Sequence, residues 1–163
     1  MQRRHFTLAA LAALTLPALT VLTARASGKP VERPRIAVYK DANCGCCHQW
    51  VAHLQASGFQ VDATDVEDTG VWRRRFGMPD RFASCHSARV EGYAVEGHVP
   101  AAEILRLLKE KPAAVGLAVA GMPAGSPGME DPRKPNARAA YDVLLVGRDG
   151  KTAVYHRYDA VAG

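Results

Sequence analysis

The stretch RIAVYKDANCGCCHQWVAHLQASG, residues 35–58, decides how the chain begins to fold. Arg35 to Lys40 is a short β-branched and aromatic run, which reads as a strand. Asn43-Cys44-Gly45-Cys46-Cys47 follows as a turn. From about Cys46 to Ser57 the apolar residues Cys47, Trp50, Val51 and Leu54 recur at helical spacing, and Gly58 stops the helix. Three thiols in four residues therefore sit where a strand gives way to a helix N-terminus. Backbone N–H groups and the helix dipole favour thiolate over thiol there.

Working outward, Phe59 to Val66 alternates as a second strand, and Thr69 to Phe76 is a short helix ending at Gly77-Met78-Pro79. Ser84 to Val90 and Tyr93 to Val95 read as two strands around Glu91-Gly92. Pro100, placed at a helix N1 position, opens a helix over Ala101 to Lys109 with Ile104, Leu105 and Leu108 inward. The order β-α-β-α-β-β-α is that of an α/β, thioredoxin-like domain, expected over residues 27–112. Beyond Pro112 the character changes. Gly116 to Pro135 is too rich in Gly and Pro for a helix, with GMPAGSPGM over residues 121–129 at its centre. Tyr141 to Val146 and Thr152 to Tyr158 are strands joined by the turn Arg148-Asp149-Gly150-Lys151. Residues 113–163 are thus expected to form a C-terminal extension, a long loop pinned by a two-stranded ribbon. A loop of that length in a compact domain is functional or disordered.

The N-terminus reads as an address. Arg3 and Arg4 form a positive n-region, Leu8 to Leu22 an apolar h-region, and Ala24-Arg25-Ala26 a small-residue cleavage site before Ser27. The apolar run is about 15 residues, short of the ~20 that span a bilayer, so a cleaved signal over residues 1–26 is preferred to an anchor. Arg3-Arg4-His5-Phe6-Thr7-Leu8 resembles a twin-arginine signal, although Gln2 stands where Ser or Thr is preferred, so general secretion stays open. Either route leads to the bacterial periplasm, with no membrane attachment after cleavage. The net charge of +5 owes three units to Arg3, Arg4 and Arg25, and the remaining chain is near +2. That balance excludes a nucleic-acid binder.

Cys44 and Cys47 have the C-x-x-C spacing of thiol–disulfide oxidoreductases. Cys46 departs from that pattern, because a third thiol competes as a resolving group. It suits a soft metal, which thiolates select. Cys85, in Ser84-Cys85-His86, opens a strand expected beside the first, where it could face the cluster. A pair of structural disulfides is disfavoured because adjacent cysteines close almost no loop. A structural zinc site is disfavoured because its ligands come as separated pairs. His86 stands out by its place beside Cys85; His48 and His98 are weaker candidates, and His53 reads as a surface residue. His156, mid-strand, could face either side. Met122 and Met129 have two readings, as apolar plugs for the loop or as thioether ligands for Cu(I). Met78-Pro79, Val99-Pro100 and Met122-Pro123 compete for the cis-proline position of a thioredoxin-like fold. Arg73-Arg74-Arg75 reads as a solvated face.

Taken in order, Asn43-Cys44-Gly45-Cys46-Cys47, Ser84-Cys85-His86, Glu91-Gly92-Tyr93, Glu96-Gly97-His98-Val99-Pro100 and Gly121-Met122-Pro123 through Gly125-Ser126-Pro127-Gly128-Met129-Glu130 resemble the CopG copper-resistance family, over about residues 34–158. Ala120 stands where members often have Pro, which touches no ligand. The resemblance implies a periplasmic copper-binding protein with a thioredoxin-like domain, a C-terminal extension that contributes to the metal site, and a cysteine-bridged cluster of several copper ions. It makes Cys44, Cys46, Cys47 and Cys85 the thiolate ligands. It also moves Met122, Met129 and His156 toward the ligand set, beside His86. Interconversion of Cu(I) and Cu(II) beside a copper efflux system or an electron-transfer partner is part of what it implies. Two other readings are carried forward: a thiol–disulfide oxidoreductase with Cys44 as nucleophile and Cys47 resolving, and a non-catalytic copper chaperone.

Overall fold

The computed structural model describes residues 34–163; the expected signal segment lies outside them. The chain forms strand β1 (Arg35–Lys40), helix α1 (Gly45–Ala56), β2 (Gln60–Asp65), α2 (Thr69–Arg75), a single 3-10 turn (Asp80–Phe82), β3 (His86–Val90), β4 (Tyr93–Glu96), α3 (Ala101–Glu110), β5 (Ala114–Val119), β6 (Tyr141–Gly147) and β7 (Thr152–Tyr158). One mixed seven-stranded sheet has the order β2-β1-β3-β4-β5-β6-β7. β1 runs parallel to β2 and antiparallel to β3, and β4 runs parallel to β5. The fold is α/β, and the elements expected up to α3 are present within one or two residues of their expected ends.

Side chains that alternate along the strands divide the interior between two faces. On one face Ile36, Val38, Val90, Val95, Leu117 and Val119 meet Trp50 and Leu54 of α1 and Ile104 and Leu107 of α3. On the other, Ala94, Ala118 and Val146 meet Met78 and Phe82. Tyr39 of β1 stacks on Trp72 of α2 with centroids 3.5 Å apart. Trp50, fully buried, donates its indole N–H to Val99 O at 2.8 Å, which ties α1 to the start of α3.

Several expectations need correcting. Gly116 to Val119, read as the beginning of the Gly/Pro loop, belongs to strand β5 (Ala114–Val119). It joins β6 and β7 to the main sheet, so the C-terminal ribbon is not separate. Gly116, with Ala114 and Ala118, residue types depleted in strands, hides this strand from propensity arguments. A Cβ at position 116 would lie 1.8 Å from Ala94 O, so the strand can approach β4 only with glycine there. Pro100 is the N-cap of α3 rather than N1, and it makes no side-chain cap. The cap is supplied by His53, whose Nε2 accepts the Ala101 N–H at 3.1 Å; His53 is half-buried, not a surface residue. Arg73 is buried and pairs with Glu96 and Asp80, so only Arg74 and Arg75 of that run are solvated. No peptide bond among the described residues is cis, including the three candidates before proline. Finally, the loop after β5 is ordered by its own turns, among them Gly125 N to Met129 O at 2.9 Å and Met129 N to Ser126 O at 2.8 Å.

Replacing Gly116 with Ala should lower stability by at least the ~1–3 kcal/mol of an overpacked site, because the clash is with backbone that no rotamer change relieves. The midpoint of denaturant unfolding measures it, and an unchanged midpoint would show that β5 can move away from β4.

Candidate metal centre

The site is built where β1 ends. Lys40 of β1 pairs with His86 of β3, and one step further the Asp41 N–H donates to Cys85 O at 3.2 Å. The turn into α1 closes on itself through Cys44 N to Asp41 O at 3.2 Å and Asn43 N to Asp41 Oδ1 at 2.7 Å. Cys44 is the N-cap of α1, and its Sγ accepts the Cys47 N–H at 3.2 Å. A polar cap at that position satisfies one of the donors that a helix start leaves free.

These constraints gather all four cysteines. Their sulfurs lie within 4.8 Å of one another. Cys44 and Cys47 are joined by a disulfide, while Cys46 and Cys85 are free. Cys47 Sγ is 3.1 Å from Cys85 Sγ, Cys44 Sγ is 3.4 Å from Cys46 Sγ, and Cys46 Sγ is 3.9 Å from Cys85 Sγ. Short loop length therefore did not prevent pairing, because the helix start already holds the two ends together. Burial, and then the neighbouring Cys46 thiol, push the Cys85 thiol up to about 12. Cys85 is thus held as a neutral thiol at neutral pH.

Two imidazoles complete the cluster. His86 is fully buried, stacked on Trp50 at 4.4 Å, and its Nε2 lies 2.9 Å from Gly97 O. A carbonyl only accepts, so Nε2 carries the proton and Nδ1 is bare, 3.8 Å from Cys85 Sγ. His98 is arranged in the mirror sense. Its Nδ1 lies 2.8 Å from Pro127 O, so Nδ1 carries the proton; its bare Nε2 is buried without a hydrogen-bond partner among the described residues. Burial, reinforced by His98, lowers the His86 pKa to about 3, and burial lowers that of His98. Both rings are therefore neutral. Cys85, His86 and His98 place their ligand atoms within 4.8 Å of one another. A backbone carbonyl that fixes the tautomer and leaves the other nitrogen free is the arrangement found behind histidine metal ligands.

The Gly/Pro loop closes over this corner. A Cβ at Gly128, which has φ +86°, would lie 2.7 Å from Cys46 O and 2.8 Å from Trp50 N. The loop backbone thus rests directly on the first turns of α1, and its Pro127 O is the acceptor for His98. Met129 follows Gly128 and is half-buried, while Met122 is 59% exposed beside Pro123, Tyr141 and Leu144. His156 lies on β7, its Nδ1 3.5 Å from Glu103 and its ring beside Tyr158. The structure thus brings Cys44, Cys46, Cys47, Cys85 and His86 together, and does not group His156 with them. It adds His98, for which the sequence offered only its place before Val99-Pro100. His48, next to the cysteines in sequence, is exposed on α1.

No protein with a curated functional description matches the chain. A family profile described as "Protein of unknown function, DUF411" matches residues 82–129, from the 3-10 turn through Cys85, His86 and His98 to Met129. A solved structure named "Copper resistance protein copG- Form 1" is 44% identical, with a TM-score of 0.73, covering 79% of this chain and all of that one. A second, "Form 2", is 45% identical with a TM-score of 0.72, covering 78% of this chain and 99% of that one. At that identity across the full length of those proteins, the chain belongs to the CopG copper-resistance family.

Proposed function

We propose that this protein is a periplasmic copper-binding protein of copper resistance, exported by its N-terminal signal and holding several copper ions bridged by cysteine sulfur. The observation that carries this reading is the donor set: four sulfurs within 4.8 Å of one another, with two neutral imidazoles each offering a ring nitrogen within 4.8 Å of Cys85 Sγ, that of His86 being its bare Nδ1 at 3.8 Å. Thiolate sulfur bridges soft ions, and imidazole suits copper in both oxidation states. The unpartnered, buried His98 Nε2 favours a ligand there, since a buried nitrogen without a partner is otherwise costly. Residues 27–112 are read as a thioredoxin-like domain, supported by the strand order β2-β1-β3-β4 with α1 and α3 packed against one face. Residues 113–163 are read as an extension that serves the site, supported by the contact of Gly128 with α1 and by Pro127 O on His98.

In this reading Cys44, Cys46, Cys47 and Cys85 supply thiolates, His86 and His98 supply nitrogen, and Met129 supplies a thioether from the loop. Met122 remains part of the proposed set at the exposed edge. His156, occupied with Glu103, is the member least supported by the geometry. Mixed sulfur and nitrogen donors suit a site that interconverts Cu(I) and Cu(II), one electron passing to or from an electron-transfer partner beside a copper efflux system. Export is consistent with the described residues, none of whose helices is long and apolar enough to cross a membrane.

The Cys44–Cys47 disulfide favours a second reading, a thiol–disulfide oxidoreductase. In it Cys44, at the more open start of α1, is the nucleophile and Cys47 resolves. A non-catalytic chaperone is the third, and it predicts transfer of copper without change of oxidation state.

Substituting Cys46 separates the first two. Reduced protein loaded anaerobically should carry several coppers per chain with thiolate-to-copper absorption bands, and Cys46→Ser should lose those bands and most of the metal. No tight copper in the wild type, with disulfide reductase activity intact in the variant, would overturn the cluster reading.

Copper loading should also release protons. Cys85 holds its proton up to about pH 12 in the metal-free protein, and only the thiolate ligates, so at least one proton must leave per chain between pH 6 and 8. Affinity for copper should accordingly rise about tenfold per pH unit for each proton released. A pH-stat titration of the reduced protein with Cu(I) checks this, and copper uptake with no proton release would show that Cys85 is not a ligand.

A further inference from the structure

The Gly/Pro loop is held against the metal corner by a second layer of backbone. On one side it meets α1 at Gly128. On another it meets its own returning arm, residues 131–139. A Cβ at Gly125, which has φ +76°, would strike Ala137 O and the Arg138 backbone, and the Ala139 N–H donates to Ala124 O at 2.9 Å. Gly125 and Gly128 belong to one tight turn, closed by Gly125 N to Met129 O, and each touches the backbone of a different neighbour.

The arm is fastened at Arg138. That residue exchanges both backbone hydrogen bonds with Val161, each at 2.9 Å, as an isolated antiparallel bridge. Its Nε donates to Asp159 O at 3.0 Å, and its guanidinium lies over the Tyr158 ring, 5.2 Å from the centroid. Tyr158 ends β7 and donates its hydroxyl to the buried Glu103 of α3 at 3.0 Å, so the fastening is anchored on the core. Elsewhere the arm is loosely held. Residues 132–136 are exposed, and the arm's own bonds are the turns Lys134 N to Asp131 O and Ala137 N to Lys134 O. A cavity of about 420 Å³ is lined by Gly125 and Met129 of the loop and by Lys134, Arg138 and Val161, and by no residue of α1, which leaves the loop room to move away from that helix. Segments with few buried apolar contacts and an exposed backbone open at low cost. Under the loop lies the part of the site that solvent does not reach, since His98 is fully buried with Pro127 O bonded to its ring.

We propose that residues 121–139 form a strap over the metal site, that Arg138 is its fastening, and that opening of the strap sets the rate at which copper enters and leaves. This rests on the copper-binding reading above and adds to it a residue outside the donor set that governs access. A fastening of this kind slows loading and release together, so the affinity, which is their ratio, stays the same.

The test is the rate at which excess bathocuproine disulfonate, a Cu(I) chelator, withdraws copper from the loaded, reduced protein, with the rate of loading and the copper content measured beside it. Val161→Pro removes the N–H that Arg138 O accepts, and Arg138→Ala removes the guanidinium contacts with Asp159 and Tyr158. Loss of one such bond raises an opening equilibrium about fivefold, so release and loading should both quicken about fivefold in each variant at unchanged copper content. Arg133→Ala, whose side chain pairs with Asp131 two residues away, removes the same charge and should behave as wild type. In the metal-free protein, amide exchange over residues 124–129 should quicken in the first two variants. Unchanged copper rates, unchanged amide exchange, or an equal gain in Arg133→Ala would overturn the proposal. Faster release with unaltered loading would overturn it too, since that is lost affinity rather than freer access. Should Val161→Pro fail to fold, Arg138→Ala decides alone on the same criteria. A wild-type protein that binds no copper removes the functional reading and this proposal together, whereas bound copper released at the wild-type rate by the variants removes this proposal only.

Discussion

The pairing of β1 with β3 is the constraint on which the site depends. Lys40 opposite His86 sets the register, and the Asp41 N–H to Cys85 O bond carries it one step beyond the strand, into the turn that begins α1. Cys85, 38 residues after Cys47 in sequence, thereby comes within 3.1 Å of it. A slip of one residue would turn Cys85 and His86 to opposite faces of the sheet, because side chains alternate with a period of two. Burial of Ile36, Val38, Ala88 and Val90 on the α1 face makes that slip costly, so the core that stabilises the sheet also assembles the cysteines.

Around this register the backbone sets the chemical state of the side chains. Gly97 O and Pro127 O each accept a hydrogen bond from one ring N–H and so leave the other nitrogen bare, converting two buried histidines into directed lone-pair donors. His53 spends its lone pair on capping α3, which keeps the His98-Val99-Pro100 segment in place. The loop contributes little bulk. Its contact with α1 is made at Gly128, where any side chain would strike Cys46 O, so close approach rather than packing volume is what glycine provides there.

Much of this was legible in the chain. The three cysteines at a strand-to-helix turn, the fourth at the head of a strand, and the element order through α3 follow from periodicity and turn residues. What escaped has physical reasons. β5 is hidden because Gly116 lowers its strand propensity, yet that glycine is what lets it lie against Ala94. The run Arg73-Arg74-Arg75 reads as solvated because nothing local announces a buried carboxylate partner for Arg73 23 residues away. His98 looks like any histidine before a helix until the absence of a partner for Nε2 is seen in three dimensions. Met122, Met129 and His156 entered through family resemblance, and the geometry divides them: Met129 adjoins the loop contact with α1, and His156 is committed to Glu103.

The disulfide and the proposed copper cluster draw on the same sulfurs, and this makes them alternatives. A Cys44–Cys47 bond removes two thiolates, leaving Cys46 and Cys85 at 3.9 Å. Two sulfurs and two imidazoles can still hold one ion, but bridging several soft ions requires the full set of four. Reduction of the disulfide adds two electrons and two thiolates at once, so capacity for copper changes in a step rather than by degrees. In the proposed oxidising compartment the thiol state would persist only where something holds it, and copper bound as proposed would be such a holder, since a ligated thiolate is not available to attack its neighbour. Cys46 is what separates this chain from a simple dithiol: a two-cysteine motif would lose all its sulfur donors on oxidation. With Cys46 and Cys85 outside the bond, the oxidised protein keeps one thiol on each side of it, 3.4 Å from Cys44 and 3.1 Å from Cys47.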